Sequence, residues 1–195
     1  MYKRQESDLT LRDLTVAGPT GEHHGIDGVL AKASLTVDHV TLRDIRCTAD
    51  GGEVCGVQYG RAILVSGAGD VTVTNSSITA FQKQAIDLNT TGKVTISGNT
   101  ITGVGPQAVI AQNGIVLRSG SAAVTDNVIS GLSYTADNEW KYGSVAVYAL
   151  EGVSSLTVTG NTIDGADEAV YCCLLYTSPS APGGFLSPAK RGHLQ

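Results

Sequence analysis

Residues 94–103 read VTISGNTITG, and residues 156–165 read LTVTGNTIDG. An internal repeat constrains a fold more than composition does, because each copy must take up one conformation and find its packing partners in the others. Four further copies are present: LTLRDLTVAG from Leu9, LTVDHVTLRD from Leu35, VTVTNSSITA from Val71 and AAVTDNVISG from Ala122. The copies are unevenly spaced, closest between Val71 and Val94 and furthest apart between Leu35 and Val71.

The first, third and eighth positions of the unit are apolar in every copy, as in Val94, Ile96 and Ile101, with Thr, Ser, Asp or Arg mostly between them. Period-two alternation rich in β-branched residues marks a strand with one face buried. The phase shifts at Gly98–Asn99, Asp126–Asn127 and Gly160–Asn161, residue types that accept positive φ, so a sharp bend there turns a second short strand inward. Another strand precedes most copies: GVLAK from Gly28, AILVS from Ala62, AIDLN from Ala85, GIVLR from Gly114 and AVYAL from Ala146. A unit of three short strands cannot bury its own apolar row, but it can stack on its neighbours and share a core. The expected fold is all-β, a parallel β-helix solenoid of about six turns, roughly 29 Å long at ~4.8 Å per turn.

This pattern of apolar, Thr, apolar, then Gly-Asn or Asp-Asn, then Thr-Ile or Val-Ile, resembles the right-handed parallel β-helix repeats of pectin-lyase-like proteins, over residues 8–172. The resemblance implies the fold. It does not fix the chemistry, because that superfamily holds polysaccharide lyases and hydrolases, uronate epimerases, phage tailspikes and passive stalks. The Asn-Thr-Asp, Asp-Asp and His-Gly set of polygalacturonases is missing, as is the Asp-Pro-His of alginate epimerases.

The β-helix is expected over residues 6–172. YKRQ at residues 2–5 and CLLYTSPS at residues 173–180 resemble translations of the two strands of a transposon-end sequencing adapter, so 1–5 and 173–195 are read as non-native or disordered ends and set aside. The whole chain carries a net charge of −5, and without Lys3, Arg4, Lys190 and Arg191 nine basic residues face 18 acidic ones. Such an acidic rod repels nucleic acid and anionic membranes. No run reaches the ~18 apolar residues a spanning helix requires, so membrane insertion is not expected. Cys47 and Cys55 flank the Gly-rich TADGGEV, which favours a loop disulfide over two free thiols and, with the fold, an extracellular or cell-surface location.

The insertions, such as PTGEHH from Pro19, CTADGGEVCGVQYG from Cys47 and LSYTADNEWKYGS from Leu132, fall at one corner of the turn. Stacking lines them along one edge, beside the sheet made by the GVLAK-type strands. With Ile86 and Leu88 inward, Asp87 and Asn89 face out, Val116 and Arg118 follow on the next turn and Tyr148 on the one after. Asp87 and Arg118 become diagonal neighbours. On a solvated face they form an ion pair. In the lyases this chain resembles, such a pair is catalytic, with Asp87 as a calcium ligand and Arg118 as the base. Trp140, amid Asp137, Asn138, Glu139 and Tyr142, is the mixture that meets a sugar through C–H faces and hydroxyls. Adjacent His23 and His24 would point apart on a strand and make a poor metal pair. Asn99, Asn127 and Asn161 should form a structural ladder.

These features point to a secreted or surface carbohydrate-associated β-helix that binds or processes a polysaccharide or cell-surface glycan along its loop edge. Asn89, Tyr148 and the 137–142 group would be its substrate contacts. If it is an enzyme, a calcium-assisted lyase suits the Asp87–Arg118 pair better than a two-carboxylate hydrolase. The alternative is a non-catalytic stalk or adhesin segment.

Overall fold

The structure, a computed structural model, describes residues 7–18, 27–47, 55–137 and 143–173. These residues contain strands and no helix: β1 (Leu9–Arg12), β2 (Thr15–Ala17), β3 (Asp27–Ala31), β4 (Leu35–Asp38), β5 (Thr41–Arg43), β6 (Arg61–Gly67), β7 (Val71–Thr74), β8 (Ser77–Thr79), β9 (Gln84–Thr90), β10 (Lys93–Ser97), β11 (Thr100–Thr102), β12 (Asn113–Thr125), β13 (Val128–Leu132), β14 (Val145–Thr159), β15 (Thr162–Ala166) and β16 (Glu168–Cys172). Every pairing is parallel, and each strand pairs with its counterpart one turn away.

Three ladders result. The first runs β3, β6, β9, the first half of β12, the first half of β14, and β16. The second runs β1, β4, β7, β10 and the later halves of β12 and β14. The third runs β2, β5, β8, β11, β13 and β15. The repeat register is kept throughout, with Leu9 opposite Leu35, then Val71, Val94, Ala122 and Leu156.

The repeat's inward positions make the core. Val71, Val73, Ile78, Val94, Ile96, Ile101, Val124 and Ile129 are fully buried, and Ile63, Ile86, Leu88, Ile115, Leu117 and Val147 complete it from the first ladder. Toward the outer turns Leu9, Leu11, Leu156, Val158 and Ile163 are only partly buried. Burial of these side chains at about 25 cal/mol per Å² of apolar area is the main stabilising term.

The bend after each second-ladder strand falls on the fifth position of the unit. Asp13, His39, Asn75, Gly98, Asp126 and Gly160 all have φ between 50° and 68°. Asp, Asn and His tolerate the left-handed region better than most residues, so the early copies bend without glycine. The sixth position then carries the ladder. Asn99 Nδ2 donates to Asn127 Oδ1 at 3.0 Å, and Asn127 Nδ2 donates to Asn161 Oδ1 at 2.8 Å. The same oxygens accept the backbone N–H of Asn99 and Asn127. Downward the column continues in Ser76, whose N–H donates to Asn99 Oδ1 at 2.9 Å and whose hydroxyl accepts the Val40 N–H at 3.1 Å.

The three strands of each turn become the three ladders, with β12 and β14 each running unbroken through the corner between the first and second. Pairing between them survives that corner with register shifts at Leu117/Ser119 and Gly120/Ser121. Glycines make this possible: a Cβ on Gly152 would collide with the Arg118 carbonyl oxygen one turn below.

Candidate functional site

The outer face of the first ladder carries one column in strict register: Leu30, Leu64, Asp87, Val116, Tyr148 and Tyr171. Asp87 and Arg118 meet diagonally across β9 and β12. Arg118 Nε donates to Asp87 Oδ1 at 2.7 Å and an Nη donates to Asp87 Oδ2 at 3.0 Å, a bidentate clamp. The expectation of a solvated Asp87 is corrected, since it is only 2% exposed, as is Val116 above it. A carboxylate tolerates such burial only when paired and hydrogen-bonded. Arg61 on β6 supplies a second cation, its Nε 3.6 Å from Asp87 Oδ2 and 3.5 Å from Asp27 Oδ1. Four alternating charges, Asp27, Arg61, Asp87 and Arg118, therefore climb the face and cancel.

The hydrogen bonds to Asp87 hold the Arg118 guanidinium more firmly protonated than usual, against the opposing effect of burial. Burial in turn makes the Tyr148 phenol harder to ionise. Tyr148 packs edge-on against Tyr171, with ring centroids 5.2 Å apart. Asn89 is exposed, and its Oδ1 accepts the Ser119 hydroxyl at 3.0 Å.

For a cation at Asp87 the geometry is unhelpful, because the clamp takes both carboxylate oxygens that would ligate it. Among the described residues no group of three or more His, Cys, Asp or Glu side chains could hold a metal ion. Asp137 is exposed, whereas Asn138, Glu139, Trp140 and Tyr142, like His23 and His24, lie outside the described residues. The sulfurs of Cys47 and Cys55 are bonded, with the Cα atoms 5.8 Å apart.

Three residues that the sequence reading passed over fasten the loop edge. Gln82, wholly buried, accepts the Cys47 N–H through Oε1 at 3.2 Å and donates through Nε2 to Cys55 O at 2.6 Å and Val57 O at 3.1 Å. Gln112 does the same for the next loop, accepting the Val104 N–H at 3.0 Å and donating to the carbonyls of Phe81 and Gln82. Asp167 ties the chain just after β13 to the chain just before β14, accepting the N–H groups of Tyr134 at 2.8 Å and Ser144 at 2.7 Å. The available signal was positional: Gln82 and Gln112 both sit just before a first-ladder strand, β9 and β12 respectively.

The family model described as "Right handed beta helix region" matches residues 61–178, more than half of the chain. No curated protein and no solved structure shows a significant match.

Proposed function

Because this chain belongs to the right-handed β-helix family, we propose that its first-ladder face binds a polysaccharide, making it a carbohydrate-associated β-helix of the extracellular space or cell surface. The observation that carries the reading is that Tyr148, Tyr171, Asn89 and Arg118 share the outer side of the first ladder. Aromatic rings offer apolar surface to sugar C–H groups, and the amide and guanidinium meet hydroxyls. In this reading Asp87 and Arg118 build the face and do not run a reaction. Calcium-assisted elimination would require Asp87 oxygens and an unclamped Arg118, and the bidentate pair engages both.

One observation favours the stalk reading: the buried Asn column and the self-cancelling charges both serve rigidity. The deciding experiment titrates the protein with a panel of plant, algal and bacterial polysaccharides and follows binding by calorimetry and new reducing or unsaturated ends by assay. Binding without chain cleavage is the expected result. Absence of binding across the panel would leave only the stalk.

A further inference from the structure

The outer column of the first ladder runs along the rod axis, across the strands, and its members other than Asp87 are apolar or aromatic. Leu30 is 54% exposed at one end and Tyr171 43% exposed at the other. Five inter-strand steps of ~4.8 Å separate the ends of this strip by about 24 Å, and between them Asp87 and Val116 are each only 2% exposed. The strip's only charged member is the buried Asp87, whose charge is matched locally. Arg118 applies its Nε/Nη edge to Asp87, which takes up one of the two bidentate edges of the guanidinium. Arg61 Nε lies 3.5 Å from Asp27 Oδ1 and 3.6 Å from Asp87 Oδ2, an ion pair without a hydrogen bond. The two arginine charges are thus offset by Asp27 and Asp87, and the chain as a whole carries −5. A polyanion would meet net repulsion, whereas an uncharged ligand finds rings, aliphatic surface and the Asn89 amide.

Resting on the polysaccharide reading above, we infer that the strip selects a neutral glycan, whose C–H face stacks on one of the two perpendicular rings of Tyr148 and Tyr171 and meets the edge of the other. Arg118 acts as a hydroxyl donor fixed by Asp87. Contacts of this kind do not depend on salt, and loss of one stacked ring weakens binding by about threefold to tenfold.

The test measures binding of the whole chain to neutral polymers (mixed-linkage β-glucan, galactomannan, unsubstituted xylan) and anionic ones (polygalacturonate, alginate) at about 0.02 M and about 0.5 M salt. Tyr148→Ala, Tyr148→Phe and Tyr171→Ala follow, with circular dichroism to confirm folding. Expected is binding to a neutral polymer, unchanged by salt, weakened by either alanine variant and kept by Tyr148→Phe. Preference for an anionic polymer, weakening with salt, would overturn the inference while leaving the polysaccharide reading intact. Tight neutral binding indifferent to both tyrosines would overturn it also. No binding to any polymer would remove both readings. Concentration-dependent self-association abolished by Tyr171→Ala would assign the strip to a second copy of the chain and overturn the inference.

Discussion

Asn127→Ala should be among the most damaging single substitutions in this protein. Asn127 is fully buried. Its side chain donates to Ile96 O at 3.0 Å and Asn161 Oδ1 at 2.8 Å, and it accepts the Asn99 backbone N–H and the Asn99 amide, each at 3.0 Å. Alanine removes all four bonds. The Asn99 amide keeps Val73 O, and Asn161 Oδ1 keeps the Asn127 N–H, so those two groups retain partners. The buried Asn99 N–H loses its acceptor. At a net value of about 1 kcal/mol for each bond, with more for an orphaned buried donor, the expected loss is about 4 kcal/mol. Asn161→Ala, at the partly exposed top of the column, should cost about half as much. Urea unfolding followed by circular dichroism measures both, with the slope compared to ensure that the unfolded state has not changed. Amide exchange at Asn99 should accelerate in Asn127→Ala. A loss under about 1 kcal/mol, or equal losses at the two positions, would refute the claim that the column's buried hydrogen bonds hold the bends in register.

Asp87→Ala leaves Arg118 and Arg61 facing each other without their shared carboxylate, and should lower stability by about 2–3 kcal/mol, less than for a fully enclosed pair because Arg118 reaches solvent. Thermal melts against Asp87→Asn measure the charge component. Asp38 is held at a pKa of about 2 against an ordinary 3.8, chiefly by the Asn75 amide and then by Thr74 and His39. Because its folded value is depressed, the stabilisation is present above about pH 4 and lost as pH falls toward 2. Asp38→Asn should flatten the pH dependence of melting in that window, and an unchanged profile would contradict the network. Gln82→Ala should destabilise by about 2–3 kcal/mol through three lost backbone contacts, with amide exchange at Cys47 accelerated while the Asn99 amide stays protected.

The core was readable in the sequence because each inward position recurs six times, so chance apolar residues average out. The bends were readable only where Gly or Asn marked them. Asp13 and His39 hold the same positive φ with no such mark, since neighbouring turns impose the geometry on residues that merely tolerate it. The diagonal of Asp87 and Arg118 followed from strand parity and register. Its burial did not, because that depends on contacts with Arg61 and Arg118 from the turns on either side. Gln82, Gln112 and Asp167 were invisible for a related reason: they act on loops that have no repeat, and the contacts of Gln82 with Cys55, Gln112 with Phe81 and Asp167 with Ser144 join positions remote in the chain.

Parallel ladders point the backbone hydrogen bonds along the rod axis, so a pull from end to end loads them in series and peels the rod one turn at a time. Turn length is uneven, shortest from Val71 to its partner Val94 and longest from Leu35 to its partner Val71. At ~3.4 Å per extended residue, the turn from Val71 would release about 80 Å and the turn from Leu35 about 100 Å, because the Cys47–Cys55 disulfide keeps the residues between them from extending. The rod would therefore lengthen in unequal steps before it lets go.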